Sequence, residues 1–147
     1  MSDKIQMTVA GNLVADPEIR ATPNGNVVTH FTVASTPRQL NQKTGQWQDG
    51  QTSFMRCQVW RDQAENVAES LHKGDRVVVS GTLSQRSWTD ENQQKHSVWE
   101  LQAEDVAASM KFAQVQVNRQ RANQRQSQQA SEDHTAPARK QQIQATA

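Results

Sequence analysis

Thr52-Ser53-Phe54-Met55-Arg56-Cys57-Gln58-Val59-Trp60 carries two chemistries in one short run. As a β-strand, whose successive side chains point to opposite faces, it sets Phe54, Arg56, Gln58 and Trp60 on one side and Ser53, Met55, Cys57 and Val59 on the other. Met, Cys and Val form the face a strand turns toward a core or a partner subunit. Two rings bracketing a guanidinium and an amide suit another purpose: the rings give flat surfaces for bases, and Arg neutralises phosphate or stacks in its own right. The competing reading is an ordinary half-exposed strand, because single exposed aromatics are common.

A second stretch repeats the pattern. Between Arg76 and Trp88, Val77, Val79, Gly81 and Leu83 share one face, and Arg76, Val78, Ser80, Thr82, Ser84, Arg86 and Trp88 share the other. Two strands with apolar residues inward and Arg plus an aromatic outward favour a platform over coincidence. The remaining chain supplies more strands. Lys4 to Val14 alternates Ile5, Met7, Val9, Gly11 and Leu13 with Lys4, Gln6, Thr8, Ala10 and Asn12, and Gly11 marks a bend or bulge. Asp16-Pro17-Glu18 and Pro23-Asn24-Gly25-Asn26 are turns flanking a short extended piece at Ile19 and Arg20. Val27 to Ser35 turns Val27, Phe31 and Val33 to one face and His30 to the other, where His30 reads as a surface or subunit-contact residue. Val98 to Val106 is the last barrel strand, with Trp99, Leu101 and Ala103 opposite Glu100, Gln102 and Glu104, so Trp99 reads as core or interface.

One helix interrupts the strands, over Asp62 to Lys73. Asp62 is its expected cap, Glu65 the reciprocal capping residue, and Ala64, Val67, Ala68 and Leu71 its apolar stripe. Gly74 suits a left-handed exit. Thr36 to Gln51 is a polar hairpin loop, in which Arg38, Lys43 and Trp47 either form an arm over DNA or Trp47 folds back as an anchor. Five strands with one helix between the third and fourth describe an all-β oligonucleotide-binding (OB) barrel.

Charge is sorted along the chain. The net charge is +1, but residues 1–118 hold 11 Lys and Arg against 13 Asp and Glu, and residues 119–147 hold five against two. Binding to a polyanion therefore depends on sorting by face, not on bulk charge. The last segment, with eight Gln and Ile143 as its one large aliphatic, reads as a disordered basic tail. The organisation expected is an OB domain over 1–110, an extra strand or tail start over 111–118, where Met110, Phe112, Val115 and Val117 regain alternation, and the tail over 119–147. The single cysteine excludes a disulfide framework, and no apolar run is long enough for a membrane span. No phosphate-binding loop, metal-spaced set or nucleophile–base pair is visible, so neither catalysis nor a cofactor is expected. An OB-type nuclease needs a carboxylate cluster, and the acids are scattered.

The sequence also resembles bacterial single-stranded DNA-binding proteins. Gly11-Asn12-Leu13, Asp16-Pro17-Glu18, Pro23-Asn24-Gly25, Thr44-Gly45, Gly74-Asp75-Arg76-Val77, Ser80-Gly81-Thr82-Leu83 and Arg86-Ser87-Trp88-Thr89-Asp90 stand in that family's order and spacing. Val33-Ala34-Ser35-Thr36-Pro37-Arg38 and Ala64-Glu65-Asn66-Val67-Ala68-Glu69-Ser70-Leu71 look most like actinobacterial members. The resemblance implies a cytoplasmic, nucleoid-associated homotetramer of OB-folds wrapped by single-stranded DNA without base-sequence specificity, in replication, recombination or repair. It carries the stacking aromatics onto Phe54, Trp60 and Trp88 and the basic contacts onto Arg56, Lys73 and Arg86, with Arg20 weaker. Arg38, Lys43, Trp47 and Arg76 are secondary candidates from the loop and strand readings. One family stacking position falls on Gln39. Family members that recruit replication and repair enzymes close on an acidic tip ending Ile-Pro-Phe, whereas this chain closes on Ile143-Gln144-Ala145-Thr146-Ala147. The expectation is an auxiliary paralogue, or a phage or plasmid version, without such recruitment. The alternative is an OB module for RNA or protein partners.

Overall fold

The computed structural model describes residues 3–120. Its strands are β1 (Ile5–Leu13), β2 (Glu18–Ala21), β3 (Val27–Ser35), β4 (Arg38–Leu40), β5 (Trp47–Asp49), β6 (Ser53–Trp60), β7 (Arg76–Thr89) and β8 (Lys95–Ala108). One helix, α1 (Arg61–Ser70), separates β6 from β7. The five long strands close into a ring because β1 has two partners: Ile5 to Asn12 pair with β7, and Asn12 and Leu13 pair with β3. The order β1-β7-β8-β6-β3 thus returns to β1, and short β2 lies along β3. Closure satisfies long strand edges that would otherwise remain open.

Gly11 is where the ring closes, and its role differs from the expected bend or bulge. Its register with β7 is unbroken. A Cβ at Gly11 would instead collide with the Ala34 carbonyl of β3, so the missing side chain lets two backbones meet. The bulge lies on β8, where Ser80 faces Asp105 but Gly81 faces Ala103, leaving Glu104 with no opposite number. An extra residue flips the parity of everything after it. Leu101 and Ala103 point to the core before the bulge; Val106 and Ala108 pack against it afterwards. Gln63 of α1 serves the backbone there: its Nε2 donates to the Glu104 carbonyl at 3.2 Å and its Oε1 accepts from the Val106 N–H at 2.9 Å.

Alternation builds the rest of the core. Val9, Leu13, Phe31, Val33, Cys57, Val59, Val77, Val79 and Leu101 meet Ala64, Val67 and Leu71 of the helix region. Buried Thr29 is satisfied by donating its hydroxyl to the Ala64 carbonyl at 2.8 Å, which ties the helix to β3. Burial pushes the Cys57 thiol up to about 12, so it stays protonated and acts as a small apolar residue.

The helix boundaries correct the sequence reading. α1 begins at Arg61, one residue earlier than expected, and Trp60 occupies its N-cap with extended backbone and no capping side chain. Asp62 falls in the first turn, and the expected Asp62–Glu65 capping pair is absent. The physical reason is register: Trp60 is still paired with Val28, so strand passes straight into helix and Arg61 absorbs the turn at φ 62°. The helix also ends early, at Ser70, because Leu71 takes an extended conformation and is buried in the core. Gly74, at φ 92°, serves the following turn, where its N–H donates to the Leu13 carbonyl at 2.9 Å. Trp99 is 48% exposed, which removes the core half of its reading.

Residues 36–51 form a hairpin arm whose β4 and β5 make a separate two-stranded sheet. After β8, residues 109–118 carry no strand; Met110 and Phe112 are exposed, and the Arg76 guanidinium lies 5.8 Å from the Phe112 ring centroid. The tail expectation for 119–147 falls almost wholly on 121–147, outside the described residues.

Candidate nucleic-acid interface

Residues directly opposite in a sheet share a face, so the register locates the platform. One row runs Ser84–Glu100–Arg56–Thr32 across β7, β8, β6 and β3. The next runs Thr82–Gln102–Gln58–His30–Glu18 and reaches β2. Trp60, Val28 and Arg20 continue the same face, Phe54 faces Ala34, and Arg86 and Trp88 extend it along β7. Phe54 is 64% exposed, and Trp60 and Trp88 are each 41% exposed. The three rings therefore share one face of one sheet. They are not on neighbouring strands, however, because β8 lies between β6 and β7. Periodicity gives faces but not strand order.

That intervening strand brings an acid onto the platform. Glu100 is buried to 6% exposure and accepts from Arg86 Nε at 3.0 Å. The Arg86 guanidinium also lies 4.7 Å from the Trp88 ring centroid, so one cation is held by a carboxylate and a ring together. His96, opposite Trp88, stacks on it at 5.5 Å with an interplanar angle of 22°. His96 Nε2 is 2.7 Å from Asp90 Oδ2, and this bond, with backbone donation from Gln94, holds the Asp90 carboxyl below its usual range. Between β6 and β8, Gln58 Nε2 donates to Gln102 Oε1 at 2.6 Å and fixes both amides. Glu100, Gln102 and His96 were missed as site residues, although alternation on β8 already put Glu100 and Gln102 on the face opposite Leu101.

A cavity of about 240 Å³ opens on this face, lined in part by Asp16, Glu18, His30, Thr32, Arg56 and Glu100. His30 Nε2 is buried without a hydrogen-bond partner among the described residues. Burial, and then the positive charge of Arg20, lowers the His30 pKa and favours the neutral ring. Lys73 stands on the turn after the helix, its N–H donating to Asp16 Oδ1 at 2.8 Å, which sets it beside the rim of this cavity. Arg20 is exposed and paired with Glu18 at 3.1 Å.

The remaining candidates lie elsewhere. Arg38 and Asp49 form an ion pair of 2.9 Å on the arm, and Lys43 sits in its turn, N–H to Asn41 Oδ1 at 2.9 Å. Trp47, opposite Leu40, is 61% exposed, so it does not fold back as an anchor. Arg76 begins β7, at the opposite end from Trp88, and its Nε is buried without a partner among the described residues. Among the described residues no group of three or more His, Cys, Asp or Glu is arranged to hold a metal ion, and no helix is long and apolar enough to cross a membrane.

Comparison with known proteins adds an independent line. Residues 5–112 match the single-strand binding protein family. The chain is 47% identical over 126 residues to a single-stranded DNA-binding protein of Paenarthrobacter aurescens, covering 86% of this chain and 74% of that one. It is 52% identical over 113 residues to its counterpart in Corynebacterium glutamicum, covering 77% of this chain and 50% of the other. The crystal structure of small single-stranded DNA-binding protein from Streptomyces coelicolor superposes with a TM-score of 0.63 at 29% identity, covering 74% of this chain and 97% of that one.

Proposed function

This chain belongs to the single-strand binding protein family, its fold is the OB barrel, and from that premise we propose that it binds single-stranded DNA without sequence preference across the face bearing Phe54, Trp60 and Trp88. The observation carrying the reading is that these three exposed rings share one sheet face with Arg56 and Arg86. Bases stack on the rings at roughly 1–3 kcal/mol each, and every base has a flat face, so sequence matters little. Arg56, Arg86, Lys73 and, more weakly, Arg20 meet phosphates and release counterions. Arg38, Lys43 and Trp47 on the arm, and Arg76, are lesser contacts in this reading.

The DNA-binding unit is residues 1–110, with 111–118 as the start of the tail and 119–147 as the tail itself. The unit works as a homotetramer in the cytoplasm, on the nucleoid, and performs no chemistry on the strand. Family membership and the exposed rings support this over the RNA or protein-partner alternative. Two measurements test it. Tryptophan emission quenches on addition of poly(dT), and affinity follows single-stranded DNA above RNA and duplex; unchanged emission at low salt refutes stacking. Native mass measurement gives four copies; a persistent monomer refutes the assembly.

A further inference from the structure

His30 stands in the middle of the ring-bearing face with no partner for its imidazole. In the register it lies between Gln58 of β6 and Glu18 of β2, with Arg56, Trp60 and Arg20 at the diagonal positions. It borders the cavity of about 240 Å³ together with Asp16, Glu18, Arg56 and Glu100. Its Nε2 is buried and unpaired among the described residues, an uncommon state for a polar atom inside a fold. Gln58, directly opposite, is neutral and spends its amide on Gln102.

Every carboxylate facing the ring is already engaged. Asp16 accepts from the Lys73 N–H, Glu100 from Arg86 Nε, and Glu18 from Arg20 Nη2 at 3.1 Å. The three differ in how easily they open. Asp16 holds a backbone group, and Glu100 is buried, so taking Arg86 from it strands a charge away from water. The Glu18 and Arg20 side chains are 67% and 69% exposed, and pairs of that kind contribute little. Arg20 also shares a row with Val28 and Trp60, about 10 Å from that ring across two strand spacings, where the backbone of a stacked base passes. In the free chain burial favours the neutral imidazole; the charges of Arg20 and Arg56 act in the same sense, and Glu100 and Glu18 oppose them. Phosphate on the two arginines cancels the cations and leaves both carboxylates acting.

Resting on the single-stranded DNA reading, we infer that strand binding makes this face exchange ion partners: phosphate draws Arg20 off Glu18, and His30 takes a proton from the buffer and replaces Arg20 beside that carboxylate. Directly opposite residues have Cβ atoms about 4.5–5.5 Å apart, so the imidazolium and Glu18 meet without a change of backbone. A charged imidazole donates from both nitrogens, which gives the orphan Nε2 a use. The bound form then carries more protons than the free one. Affinity rises as pH falls through the value at which His30 titrates in the complex, and levels off below the value at which it titrates in the free chain.

The test is an imidazole NMR titration of the full chain, free and saturated with a dT oligomer of about 15 nucleotides, within the ~4–16 nucleotide span of one OB fold. His30 titrates at higher pH in the complex, and calorimetry in two buffers of different ionisation heat counts the proton. His30→Gln and Glu18→Gln each lower the uptake. Arg20→Gln lowers it by another route: Glu18 is released beforehand, so His30 is protonated before DNA arrives and its free-state titration moves up. Between about pH 8 and about pH 5.5 the natural chain gains more affinity than His30→Gln, by up to about tenfold per pH unit for each proton taken up. A His30 titration that binding leaves in place or moves down overturns the inference, as does unaltered uptake in Glu18→Gln. A changed native mass in His30→Gln overturns it as well and makes the ring a subunit contact. Quenching of tryptophan emission by poly(dT) without the titration shift sinks the exchange alone, whereas unchanged emission removes the DNA reading beneath it.

Discussion

Strand β6 and the β4–β5 arm carry similar residues on very different supports. Phe54, Arg56 and Trp60 stand on a strand paired on one side with β3 and on the other with β8. Arg38, Lys43 and Trp47 stand on a two-stranded sheet whose cross-strand ion pair is exposed on both sides. Both place rings in solvent, Trp47 at 61% and Phe54 at 64%. The difference lies in ordering. A ring on the barrel wall has its backbone fixed before any ligand arrives, whereas isolated two-stranded hairpins are marginal in water and lose more freedom on binding. Equal exposure therefore does not mean equal affinity.

The contrast breaks first if the wall itself is broken. Gly11→Val drives a side chain into the Ala34 carbonyl and is expected to cost about 3 kcal/mol or more in urea unfolding, the range of severe overpacking. The arm's Gly45, at φ 73° with open space around it, should lose about 1–2 kcal/mol locally on substitution by Ala, with little change in the global transition. Next comes binding. Phe54→Ala or Trp60→Ala should weaken poly(dT) binding by about 1–3 kcal/mol with unfolding midpoints nearly unchanged, and Trp47→Ala by less than either. An equal or larger loss at Trp47 removes the distinction.

Smaller effects sharpen it. Gln63→Ala strips the Glu104 carbonyl and the Val106 N–H of a shared partner and should cost about 1–2 kcal/mol of stability. Removing the arm's ion pair with Arg38→Ala should cost no more than about 0.5 kcal/mol, and nothing measurable in high salt. Smallest is a pH effect at His30. Its folded-state pKa is lowered, so the unfolded chain binds the proton first. Its stability contribution is complete above the unfolded value near 6.5 and falls as pH drops toward the folded one. His30→Gln should flatten the stability profile in that window, as read by thermal unfolding at successive pH values.

Much of the barrel wall was legible because a strand has a period of two and each face faces one environment. Phe54, Trp60 and Trp88 lie on the face where alternation put them. The helix start was not legible: Asp62 and Glu65 have capping chemistry, but the pairing of Trp60 with Val28 decides where the strand ends. Nor was Glu100 as the clasp of Arg86, since that depends on the register of the β7–β8 hairpin, which sets Ser84 opposite Glu100 and Arg86 opposite Val98. Glu104 interrupts alternation without any Gly or Pro on its own strand, so the inward turn of Val106 and Ala108 becomes visible only through the register.

Because β1 pairs with both β3 and β7, the first barrel strand in chain order waits for a partner that lies far along the sequence. Ile5 meets Leu83 only after most of the domain has been synthesised, and contacts this distant in sequence form slowly. Until then Ile5 to Gly11 lack their partner strand, and the exposed Gln6 and Thr8 dilute the apolar residues between them during that delay. Moving the chain ends so that β1 follows β8 would shorten the wait, and refolding of such a permuted chain should be faster than that of the natural order.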